Sequence, residues 1–166
     1  MSRGFVKEDD LEHAGTDLPE RPLSEHPNYV TPAGLQQLQM QSAELDQERQ
    51  QLTPQKEDAV IQQRLGMIDR DLRYLQARLE HAILVAPADQ PKNQVLFGAT
   101  VEVEYDEGEH QLFSIVGEDE ADIALQKVSW VSPLAKALIG HKVGHSVVWK
   151  RPAGDLNLEI IKISYS

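Results

Sequence analysis

The chain has 166 residues, enough for one ordinary domain or two small ones, and is 26% charged, 40% hydrophobic and 5% aromatic. Its net charge of −11 is spread over every region, so no basic surface is available for tight contact with duplex DNA. The absence of cysteine excludes disulfides and thiolate chemistry, and no apolar run approaches the ~18 residues of a membrane span.

Residues 1–30 combine Glu8, Asp9, Asp10, Glu12 and Asp17 with Pro19, Pro22 and Pro27. So few apolar residues cannot offset the entropy of ordering, and a mobile acidic tail is expected. The alternative is a docking arm anchored by Phe5, Val6 and Leu11. The acidic start is unlike a secretory signal, and a cytoplasmic, monomeric protein is expected.

Residues 31–85 read as an antiparallel coiled-coil hairpin. Leu38, Leu45 and Leu52 repeat every seventh position, Leu35 adds a seam residue, and Ser42 and Arg49 fall where further seam residues would sit. Thr31 is a candidate N-cap with Pro32 at the first helical position. Thr53-Pro54 repeats that signal, so the first arm should stop near Leu52 and a second helix restart at Pro54. In the second arm Ile61, Leu65, Ile68, Leu72, Leu75, Leu79 and Ala82 alternate spacings of four and three, which keeps one apolar stripe facing a partner helix. Arms of about 22 to 28 residues would extend roughly 33 to 42 Å. The expected tip is Thr53, Pro54, Gln55, Lys56, Glu57 and Asp58, with Glu57 and Asp58 its carboxylates.

Pro87 and Pro91 mark residues 86–95 as a linker. From residue 96 to 166 the pattern changes. Thr100 to Tyr105 alternates polar and apolar residues as a half-buried strand does, Asp106-Glu107-Gly108 turns, and 111–116 returns. Further strands are expected at 123–128, 146–150 and 156–165, the last after Ala153-Gly154-Asp155. Ser132-Pro133 should cap a short helix, 134–139, stopped by Gly140. The class is therefore α+β: a helical hairpin followed by a small β-sheet domain with one short helix. His141 and His145 have the spacing of helix ligands, but Gly140 and Gly144 make their segment a turn, so no metal site is expected. Trp130 and Trp149 read as packing residues.

Several runs in this half resemble the C-terminal, FKBP-like domain of the bacterial Gre transcript cleavage factors. They are Phe97-Gly98-Ala99 with Val101; Ile115-Val116-Gly117 before Glu118-Asp119-Glu120-Ala121-Asp122; Ser132-Pro133-Leu134-Ala135-Lys136-Ala137-Leu138-Ile139-Gly140; Val143-Gly144; Pro152-Ala153-Gly154; and Ile163-Ser164-Tyr165. Tyr29-Val30-Thr31-Pro32-Ala33-Gly34-Leu35 is similar to the start of that family's hairpin. Arg64-Leu65, Ile68-Asp69-Arg70 and Arg73-Tyr74-Leu75 resemble the GreB form of its second helix. The resemblance implies a factor that binds core RNA polymerase, docks its C-terminal domain at the rim of the secondary channel, and sends the hairpin down it. Tip acids then help hold a second Mg²⁺ at the polymerase active site, a hard cation suited to carboxylate oxygens. It also implies docking through Ser132, Pro133, Leu134, Ala135 and Lys136, with Glu118 and Asp119 nearby.

The chain departs from that family at the tip. The family's Gly-Asp pair, two variable positions and Glu-Asn-Ala are missing, and Gln51 and Pro54 occupy the positions of the two acids. The hairpin is also shorter by about 15 residues, which at 1.5 Å per residue per arm brings the tip back roughly 10 Å. The expectation is an elongation regulator that is not itself an enzyme, lacks robust cleavage activity and needs no cofactor of its own. Two alternatives are a cleavage factor using Glu57 and Asp58 as substitute acids, and an interaction protein unrelated to polymerase, similar in build to the regulator of nucleoside diphosphate kinase. The FKBP-like fold alone does not imply prolyl isomerase activity.

Overall fold

A computed structural model describes residues 18–166. Phe5, Val6 and Leu11, the candidate tail anchors, lie outside the described residues. These form two compact units, one of residues 18–26 with 38–81, the other of residues 27–37 with 82–166. None of the described helices is long and apolar enough to cross a membrane.

The first unit is the helical hairpin. Helix α1 is Pro32–Leu52, whose first turn belongs to the second unit, and helix α2 is Ala59–Glu80. Burial follows the seam: Leu38, Ile68 and Leu75 are buried, while Leu45, Leu52, Ile61, Leu65, Leu72 and Leu79 are half-buried among exposed polar neighbours. Two ion pairs cross between the arms. Arg64 donates from Nε and Nη2 to the two carboxylate oxygens of Glu48, each at 2.7 Å, and Arg49 Nε meets Asp69 Oδ1 at 2.7 Å. The first is a two-pronged pairing that holds the Glu48 carboxyl below its ordinary range. Residues 20 and 21 lie along α2. Arg73 forks onto the Glu20 carboxylate at 2.6 and 2.9 Å, and the Arg21 guanidinium sits 3.8 Å above the Tyr74 ring.

The turn between the arms departs from expectation. Thr53–Gln55 is a 3₁₀ turn, and α2 begins at Ala59, with Asp58 rather than Thr53 as its N-cap. The Thr53 hydroxyl donates back to the Arg49 carbonyl at 2.6 Å, so it caps nothing downstream. The Asp58 carboxylate, on an extended backbone, accepts from the Val60 and Ile61 amides.

The second unit contains two sheets. Strand β1 (Asn28–Val30) pairs in parallel with β2 (Ala82–Leu84), Asn28 opposite Ala82. The larger sheet comprises β3 (Thr100–Tyr105), β4 (His110–Val116), β5 (Lys127–Ser129), β6 (Ser146–Trp149) and β7 (Leu156–Ser164), in the order β5-β4-β3-β7-β6. Only the β4–β5 pair in it is parallel. Alternation in β3 buries Val101 and Val103. Helix α3 (Pro133–Leu138) adds Leu134, Ala135 and Leu138 to a core with Phe113, Ile115, Leu158 and Ile160.

The strand expected at 123–128 is instead a 3₁₀ turn, Ile123–Leu125, followed by β5. Asp122 accepts from the Ala124 amide, Gln126 adopts a left-handed φ of 58°, and Ile123 and Leu125 remain 72% and 63% exposed. A side chain that caps its own backbone winds the segment before a ladder can form.

Candidate functional site

Two places carry the residues singled out by sequence. The first is the hairpin tip. Thr53 to Val60 are all exposed, and the turn is held by the Lys56 amide donating to the Thr53 carbonyl and the Asp58 amide to the Gln55 carbonyl. Glu57 and Asp58 are adjacent in sequence, but the Asp58 carboxylate is committed to the first amides of α2. Both amides donate to Oδ1, so the capping uses one of the two carboxylate oxygens of Asp58. No cluster of three or more metal-ligating side chains occurs among the described residues.

The second place is the start of α3. Ser132 Oγ caps the helix by accepting from the Ala135 amide at 3.2 Å. Pro133 and Lys136 are exposed, Ser132, Glu118 and Asp119 are half-buried, and Leu134 and Ala135 lie in the core at 2% and 0% exposure. Of this group, Pro133 and Lys136 present the most surface to a partner. Leu134 and Ala135 hold the helix down.

A polar cluster missed by sequence reasoning anchors the beginning of α1. The Thr31 hydroxyl donates to Glu120 Oε1 at 2.6 Å and accepts from the Gly34 amide at 2.9 Å, while Lys127 Nζ lies 3.6 Å from Glu120 Oε2. Glu120 is 8% exposed, and a Cβ on Gly34 would stand 2.6 Å from its Oε1. Beside it, Tyr29 packs edge-on to Trp130 at 5.1 Å and tilts against Phe97 at 5.8 Å. Thr31 was legible as a cap; its acidic partner, far away in the sequence, was not. His141 Nδ1 and His145 Nδ1 are 3.2 Å apart on a turn bounded by Gly140 and Gly144, both with φ near 90°.

These features define a helical-hairpin protein with a mixed β-sheet domain and an acidic latch on the first helix. Residues 90–165 match the family model described as transcription elongation factor, GreA/GreB, C-term. The chain is 38% identical over 157 residues to transcription elongation factor GreB of Neisseria meningitidis serogroup B, covering 86% of this chain and 96% of that protein. It is 46% identical over 103 residues to transcription elongation factor GreA of Trichlorobacter lovleyi, covering 61% and 65%. Among solved structures, GreA factor homolog 1 of Thermus thermophilus matches 83% of this chain and 99% of its own at 23% identity and a TM-score of 0.40. The chain belongs to the GreA/GreB family of transcription elongation factors.

Proposed function

We propose that this protein is a Gre-family elongation regulator that binds core RNA polymerase at the secondary channel without strongly stimulating transcript cleavage. It is not itself an enzyme; the hydrolysis that this family stimulates is the polymerase's own. The carrying observation is the tip. Gln51 and Pro54 stand where the resemblance places the family's two acids, and the only tip carboxylates are Glu57 and Asp58, of which the second uses one oxygen to cap α2.

Length supports the same reading. Helices of 21 and 22 residues extend only about 32 to 33 Å. The match to Neisseria GreB runs over 157 positions but uses 86% of this chain's 166 residues, leaving about 14 positions of the relative without a counterpart. Metal coordination needs oxygens within about 2.1 Å of the ion, so the reach of the hairpin decides whether its tip carboxylates can take part.

Docking is assigned to the exposed start of α3, with Pro133 and Lys136 as contacts. An acidic chain of net charge −11 meets basic protein surfaces readily and duplex DNA poorly. The factor works as a cytoplasmic monomer without a cofactor of its own.

Two assays test this. Core polymerase should retain the wild-type protein in a pull-down, and Pro133→Glu with Lys136→Glu should weaken retention; undiminished binding would refute the docking assignment. On backtracked complexes the protein should add little cleavage. Robust stimulation that disappears in the Glu57→Ala/Asp58→Ala protein would establish the substitute-acid reading instead.

A further inference from the structure

A cleft of about 550 Å³ opens in the second unit between the β3–β4 turn and the β6–β7 turn. Its floor is aromatic: Phe113 and Trp149 meet edge-on at 6.2 Å, and the Tyr105 hydroxyl donates to Gln111 Oε1 at 2.5 Å. Its rim is acidic. Asp106, Glu107 and Glu109 stand against one cation, Arg151, and neither Glu107 nor Glu109 forms an ion pair among the described residues.

Arg151 shows what this floor accepts. Its guanidinium lies over the Trp149 ring, 5.4 Å from the centroid, while its Nε donates to the Gly154 carbonyl at the exposed turn. An aromatic face attracts a cation through its quadrupole, and surplus carboxylates around it deepen that attraction. Ile123, 72% exposed, also lines the cleft, with the 63%-exposed Leu125 in the same 3₁₀ turn. The volume lies within the ~300–1,000 Å³ range of ligand pockets and admits one or two side chains rather than a folded surface.

We propose that this cleft is a second interaction site, which takes a short segment of a partner protein bearing an arginine or lysine beside an apolar residue. The cation enters between Glu107, Glu109 and the aromatic floor, and the apolar neighbour covers Ile123. Charge complementarity selects this occupant: the rim carries three carboxylates to one guanidinium, so an acidic segment is repelled. The site uses other elements than the α3 docking segment and does not depend on the polymerase reading.

The test is an NMR titration of the ¹⁵N-labelled full chain with the pentapeptide acetyl-Ala-Leu-Arg-Leu-Ala-amide, alongside the same peptide with citrulline or glutamate in place of arginine. The arginine peptide should cause saturable shifts confined to the two turns, Ile123 and the Trp149 indole. The neutral citrulline peptide should bind about threefold or more weaker, and Glu107→Gln/Glu109→Gln, two exposed positions that leave the core intact, should lower affinity by a similar factor. No saturable shift in the millimolar range, shifts elsewhere, or equal binding of the citrulline peptide would overturn the proposal.

Discussion

Thr31 and Glu120, 89 positions apart in the chain, are joined by a 2.6 Å hydrogen bond that ties the cap of α1 to the loop between β4 and β5. The threonine oxygen both donates to the carboxylate and receives the Gly34 amide, so one hydroxyl completes a helix cap and satisfies a buried acid. Removing it by Thr31→Val keeps the shape and leaves both partners wanting. A loss of about 1 to 3 kcal/mol is expected in urea unfolding. Gly34→Ala should also destabilise, because its new methyl meets Glu120 Oε1; the pair of substitutions should be less than additive if they damage one cluster.

The hairpin seam is expected to be centred on Ile68, which is fully buried. Ile68→Ala should cost about 2 to 5 kcal/mol and reduce helical circular dichroism at lower denaturant concentration than in the wild type. Met67→Ala, one position along and on the exposed side, is the control and should change little.

Asp58 and Glu57 should separate cleanly by substitution. Asp58→Ala removes the cap of α2 and is expected to cost about 0.5 to 2 kcal/mol, whereas Glu57→Ala should stay within about 0.5 kcal/mol of the wild type. Equal effects in thermal unfolding would show that the cap carries no weight.

His110 should titrate above the ordinary histidine range. Its Nδ1 lies 2.8 Å from Glu102 Oε2, and that hydrogen bond, more than the added charge of Glu104 at 3.7 Å, raises its pKa against desolvation. A raised folded pKa means that the protonated form favours folding. The contribution is complete below the unfolded histidine pKa and fades as pH rises through the folded one. Glu48 behaves oppositely: Arg64 lowers its pKa, so its contribution is present above the ordinary glutamate value and fades as pH falls. NMR titration of the His110 ring should show the upward displacement, and Glu102→Gln should remove most of it.

Much of the architecture could be read from periodicity. Leu38 to Leu52 and Ile61 to Leu79 announce two helices because a seam repeats every three or four residues, and Val101 and Val103 announce β3 because a pleat alternates. β1 and β2 could not be read that way: each is three residues long, and their pairing is a tertiary fact. The tip misled because Thr53-Pro54 has the same local chemistry as Thr31-Pro32. Only the structure shows that one hydroxyl turns back to Arg49 while Asp58 caps α2. Ile123 and Leu125 are apolar without being core, since the Asp122-capped turn holds them outward. In the candidate site, Ser132 and Pro133 were visible as a helix start, but the burial of Leu134 and Ala135 beside the exposed Pro133 and Lys136 was not.

The parallel pairing of β1 with β2 makes the entire hairpin an insert whose two ends leave from neighbouring strands. An insert of this kind can be exchanged as a cassette. Adding or deleting one heptad in each arm alters reach by about 10 Å while keeping the seam in phase and both splice points unchanged. Hairpin length can therefore change without redesigning the strands that flank it, and a longer hairpin grafted between Val30 and Ala82 would begin and end on the same two neighbouring strands.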